Sequence, residues 1–133
     1  MRKIEIRTDR ISVKAQLNDS STAREIWNAL PIQGVVNTWG DEIYFPIPVQ
    51  RELEKGQEVV REGDLGYWPP GHAFCIFFGQ TPISGSGEVR PASPVCIIGN
   101  VLDDIQILKE ISAGDEIFIE SLNEQDFSCR CSL

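Results

Sequence analysis

The twenty residues from Gly63 to Pro82 constrain this chain more than any others. An aromatic segment, Asp64-Leu65-Gly66-Tyr67-Trp68, is joined by Pro69-Pro70-Gly71-His72 to an unbroken apolar run, Ala73-Phe74-Cys75-Ile76-Phe77-Phe78. The connection is rigid and short enough for adjacent antiparallel strands, with Gly71 free to take a positive φ. Alternation along the second strand sets Phe74, Ile76 and Phe78 on one face and Ala73, Cys75 and Phe77 on the other, so at least one set of phenylalanines is core. The segment is the centre of a β structure. It supplies no catalytic constellation, so the sequence argues fold better than function.

A chain of 133 residues is expected to form one domain that buries enough surface to need no disulfide staple. Cys75 and Cys96 lie in apolar runs, as small core residues do, and Cys129 and Cys131 fall in a short polar tail. No charged-then-apolar leader and no run approaching a membrane span is present, so the expectation is a soluble, cytoplasmic protein with no membrane partner. Twenty acidic against twelve basic residues give a formal net charge of −8, which repels phosphate backbones and argues against nucleic acid as a partner.

Residues 3–8 and 12–17 alternate polar and apolar about Asp9-Arg10, a hairpin. Ala23, Ile26, Trp27 and Leu30 recur at helical spacing, Thr22 with Glu25 forms a capping-box pattern, and Pro31 ends the helix. Period two returns at 33–39 and 42–48 around Gly40-Asp41, a second hairpin. Residues 50–61 read as a polar surface excursion with a short strand near 58–60. Residues 81–94, with three prolines, two glycines and three serines, form a long loop whose Ser84-Gly85-Ser86-Gly87 is a flexible tip. A strand at 95–102 broken by Gly99 follows, then a short helix capped by Asp103 with Ile105, Leu108 and Ile111 as its stripe, a stop at Gly114 and a last strand at 115–121. Residues 122–133 are a loosely ordered tail. The sum is a mainly β domain, a closed eight-stranded barrel with two short helices covering its openings.

Phe77-Phe78-Gly79, Thr81-Pro82, Val95-Cys96-Ile97-Ile98-Gly99-Asn100-Val101 and Ile107-Leu108-Lys109-Glu110-Ile111 follow an order that resembles the second half of a cyclophilin. The whole chain is more similar still to the compact prokaryotic cyclophilin-like family, in the motifs at residues 37–45, Gly66-Tyr67-Trp68-Pro69-Pro70-Gly71 and Pro91-Ala92-Ser93-Pro94-Val95. The resemblance implies the barrel and a groove. Proline isomerases of this fold use an arginine on a Phe-His-Arg strand to stabilise the twisted amide, and the matching strand here, 42–47, has none. The family's glutamine aligns with Ile76 and its loop histidine falls near Pro94, whereas Phe78 stands where the pocket phenylalanine would.

The expected function is therefore a cyclophilin-like binding module without isomerase activity. Its groove, walled by residues 81–94 and 39–48, holds a peptide or small apolar ligand through Trp39, Tyr44, Trp68 and Phe78. One alternative is a divergent peptidyl-prolyl isomerase with Arg51 in place of the missing arginine; another is an assembly partner of an amide-hydrolysing enzyme. His72, the single histidine, reads as an exposed turn residue without an orienting partner, and Cys129-Arg130-Cys131 lacks a completed ligand set. No catalytic residue, cofactor or metal is expected.

Overall fold

The computed structural model describes residues 2–122. Its strands are β1 (Arg2–Arg7), β2 (Ser12–Leu17), β3 (Ile32–Val35), β4 (Asn37–Thr38), β5 (Glu42–Pro46), β6 (Asp64–Trp68), β7 (Ala73–Phe77), β8 (Cys96–Val101) and β9 (Glu116–Leu122). The helix α1 covers Ser21–Ala29, and 3-10 turns cover Pro69–Gly71 and Ile105–Glu110. Leu122, assigned from sequence to a tail, is the last residue of β9; the rest of that tail and its two cysteines lie outside the described residues.

All nine strands join one sheet in the order β3-β9-β1-β2-β8-β6-β7-β5-β4, so the two outermost strands are consecutive in the chain. Only Val36 separates them. The segment 32–38 is one bent stave whose first half pairs with β9, Gln33 opposite Phe118, and whose second half pairs with β5, Thr38 opposite Ile43. The eight strands expected are thus eight staves counted as nine strands, because the bend at Val36 divides the first arm of the expected second hairpin. Gly34 permits the bend: a Cβ there would sit 2.7 Å from the Phe45 ring of β5. The result is a nearly closed antiparallel barrel, without a long unpaired edge.

The barrel interior follows from alternation. Ile4 and Ile6 of β1, Val13, Ala15 and Leu17 of β2, and Ile117 and Ile119 of β9 point inward. They meet Phe45, Tyr67, Phe74, Ile76 and Ile98 from the other side. Phe45 stacks on Phe74 with centroids 5.4 Å apart. Burying these side chains supplies the main driving force for folding. The Tyr67 hydroxyl is the polar exception, donating to the Val49 carbonyl (2.6 Å) and accepting from the Arg51 N–H (3.1 Å).

The helices lie toward opposite ends of β2. Helix α1 leaves the Leu17 end and inserts Ile26, with Trp27 and Leu30 packed beside it. The 3-10 helix contributes Leu108 and sits near the other end, where Arg10 donates to the Glu110 carbonyl (2.7 Å). Both caps differ from expectation. Ser20, not Thr22, caps α1 by accepting from the Ala23 N–H (3.1 Å), while the Thr22 hydroxyl donates to Glu54 (2.9 Å). Asp104, not Asp103, caps the 3-10 helix, while Asp103 accepts from the Lys14 N–H (2.7 Å). Residues 57–60 hold no strand, only bridges from Gln57 to Val95 and Val60 to Val89. β8 continues through Gly99, but its pairing with β6 shifts there: Leu65 lies opposite Gly99 and Gly66 opposite Ile97, so Ile98 is the extra residue. Among the described residues no helix is long and apolar enough to cross a membrane.

Candidate functional site

Register decides which side chains share the outer face of the barrel. Tyr44 of β5 lies opposite Cys75 of β7, and Cys75 lies opposite Gly66 of β6. Glu42 and Phe77 form the row on one side, and Pro46, Ala73 and Trp68 the row on the other. Because Phe45, Phe74 and Ile76 fill the interior, these neighbours must point outward. They are nevertheless covered. Val60, Val89 and Val95 pack on Ala73, Cys75 and Phe77 as a second apolar cluster, edged by Tyr44, Trp68 and Ile97.

The cover is the proline-rich loop, with Val60 added from the segment before β6, and the loop is fastened at several points. Ser84 accepts from the N–H groups of Thr81 (3.0 Å) and Arg90 (2.9 Å), and Glu88 accepts from the Gly85 N–H (2.8 Å). The tip expected to be flexible is therefore tied through Ser84 and Gly85. At the loop's far end the Trp68 indole N–H donates to the Ser93 hydroxyl at 2.6 Å. The turn before β7 fixes the same indole from below. A Cβ on Gly71 would lie 2.9 Å from the Trp68 ring, and Gly71 is needed for that approach. The positive φ expected at Gly71 belongs instead to His72, at 47°, whose carbonyl accepts from the Ile47 N–H (2.9 Å).

Between sheet and loop is a cavity of about 260 Å³. Trp39, Glu42, Tyr44 and Trp68 line it from the sheet side, and Pro91, Ala92 and Val95 from the loop side. The Tyr44 and Trp68 rings meet edge to face, 6.5 Å apart at 73°, and form a corner. Glu42 is 6% exposed. Burial pushes its carboxyl up to about 7, partly offset by the neighbouring Cys75 thiol. Burial, and then the Glu42 charge, push that thiol well above its ordinary value, so it stays protonated. A carboxyl that ionises near neutrality inside an aromatic cavity can exchange a proton or meet a positive charge.

Of the residues read from sequence as site candidates, Trp39, Tyr44 and Trp68 meet in this cavity. Phe78 does not line it: the side chain belongs to the interior cluster and is 6% exposed, nearer Lys109 and Ile111 at the 3-10 end. Arg51 lies against α1, its guanidinium 3.3 Å from Glu25, and is not among the lining residues. His72 is exposed at the turn. Glu42 was missed, although strand alternation places it on the Tyr44 face.

A nearly closed antiparallel barrel with an aromatic cavity between its outer wall and a loop defines the class of protein. The comparisons give the family: the Cyclophilin-like family model matches residues 2–120, and the chain belongs to that family. The hypothetical protein AF2241 from Archaeoglobus fulgidus, known by its solution structure, is 38% identical with a TM-score of 0.76, over 91% of this chain and 95% of that one. McbB, solved in complex with tryptophan, is 17% identical with a TM-score of 0.67, over 88% of this chain and 44% of that one, a likeness of fold. No curated protein matches the chain.

Proposed function

We propose that this member of the family is a binding protein for a small molecule with an apolar, ring-sized body, held in the cavity between β5–β7 and the loop. The observation that carries the reading is three aromatic side chains, Trp39, Tyr44 and Trp68, converging on one cavity of about 260 Å³. A void of about 150 Å³ is enough for benzene, so this one suits a single bicyclic or branched body better than several residues of a peptide. Its walls are preorganised, Trp68 by Ser93 and Gly71, and Pro91 by its ring, which lowers the entropy lost on binding.

The test is a chemical-shift screen of small aromatic and branched aliphatic compounds at low and high salt. Shifts should gather on Trp39, Tyr44, Trp68 and residues 91–95, and Trp68→Ala should weaken binding by about 1–3 kcal/mol. Shifts gathered on residues 18–24, or none with any compound at millimolar concentration, would remove the reading.

A further inference from the structure

Glu42 is the feature that apolar binding leaves unexplained. It sits in the middle of an aromatic wall, 6% exposed, and a neutral ligand would bury it further. Among the described residues none of the ion pairs seen, Arg7 with Glu120, Arg10 with Asp115, Arg51 with Glu25 and Arg90 with Glu88, involves Glu42. The other titratable groups against it are Tyr44 on its own strand and Cys75 on β7; Trp68 of β6 and Pro91, Ala92 and Val95 of the loop bring no charge. The Cys75 thiol lies beside the carboxyl but has the Ala73 carbonyl as its acceptor at 3.9 Å, and the cavity is the outlet left to Glu42.

We propose that the cavity is an organic-cation site, taking a small free ammonium compound whose positive centre rests against Trp39, Tyr44 and Trp68 with the Glu42 carboxylate as counter-charge. The inference builds on the small-ligand reading above and adds the sign of the ligand. Indole and phenol rings attract cations through their negative faces, most strongly where water is excluded. Tyr44 and Trp68, set at 73°, present two walls of a cage to one rounded head group. A buried carboxylate is costly without a partner, and a cation from the ligand removes that cost, whereas an anion adds to it. A quaternary ammonium needs no hydrogen-bond acceptors, and this wall of rings and carbon offers few.

Choline and its uncharged carbon counterpart, 3,3-dimethylbutan-1-ol, have nearly the same shape and separate charge from fit. Titrated by NMR at pH 8.5, choline should bind at least about tenfold more tightly than the alcohol. The preference should shrink several-fold at pH 5.5, where Glu42 is protonated; choline carries its charge at both pH values, so the change reports the protein. Glu42→Gln should cut the preference at pH 8.5 several-fold, to near its pH 5.5 value, and remove its dependence on pH. Equal affinity for the two compounds at pH 8.5, with shifts at Trp39, Tyr44 and Trp68, would overturn the cation assignment and leave the small-ligand reading standing. A loss of choline affinity on raising the pH would overturn it too, since the carboxyl would then be acting as a hydrogen-bond donor. No shift at these residues with either compound at tens of millimolar would overturn the cation assignment, while the small-ligand reading stands or falls on the screen described above. A trimethyllysine peptide binding tenfold more tightly than choline would reassign the cation to a polypeptide side chain.

Discussion

The two faces of β7 are both buried, but by different means. Phe74 and Ile76 on the inner face meet the opposing staves of the barrel, in an environment fixed by the hydrogen-bonded ladders. Ala73, Cys75 and Phe77 on the outer face meet Val60, Val89 and Val95, which arrive on loops held by two isolated bridges and a few side-chain bonds. The inner cluster is hydrocarbon with one satisfied tyrosine hydroxyl and the Cys96 thiol. Beside the outer one stand a carboxyl, a thiol and an indole N–H with a serine partner. The contrast teaches a division of labour: the closed ladder supplies rigidity, and the loop laid over one wall supplies the chemistry.

The largest test of this contrast lies inside. Phe74→Ala removes a ring stacked on Phe45 and should cost about 3–5 kcal/mol in denaturant unfolding. A loss below about 1 kcal/mol would mean the interior is not the stronger of the two clusters.

Outside, the effect should depend on pH. Glu42 holds its proton up to about 7 when folded against an ordinary 4.5, so between those values the folded state binds more protons than the unfolded one and stability falls as pH rises. Glu42→Gln should remove this slope, with a relative gain of up to about 3 kcal/mol above pH 7 that disappears near pH 4.5. Parallel unfolding curves for the two proteins across pH 4.5–8 would contradict it.

Smaller effects sit at the turn joining the two faces. Gly71→Ala presses a methyl group on the Trp68 ring and should cost about 1–3 kcal/mol, with a displaced Trp68 indole N–H resonance. His72→Gly relieves a left-handed φ of 47° and should stabilise by roughly 1 kcal/mol or less, with the cavity unchanged.

Much of the fold was legible because period-two alternation and turn residues are local signals. The β6–turn–β7 unit, the first hairpin and the two helical segments all follow from them. What was misread depended on distant partners. Asp19-Ser20-Ser21-Thr22 offers several cap formers, and Glu54 engages Thr22 and leaves Ser20 to cap. Phe78 was chosen for the groove because it stands where the family's pocket phenylalanine would, and parity separates the faces of an apolar strand without saying which is inside. Glu42 was not singled out, because a charged residue beside Tyr44 carries no local sign of burial. Its burial is decided by Pro91, Ala92 and Val95, far along the chain, and no local pattern reports that. Trp39, Tyr44 and Trp68 were accessible as candidates because aromatic rings offer large contact area at little entropic cost.

The bent stave at residues 32–38 and the pairing of Lys3 with Leu122 impose an order of events during synthesis. The first strand of the chain has its second neighbour at the far end of the described sequence. Until β9 emerges from the ribosome, β1 keeps one flank unpaired and β3 has nothing to pair with on the β9 side. Contacts of such long sequence separation slow folding, and the last strand among the described residues is the one that joins β1 to β3.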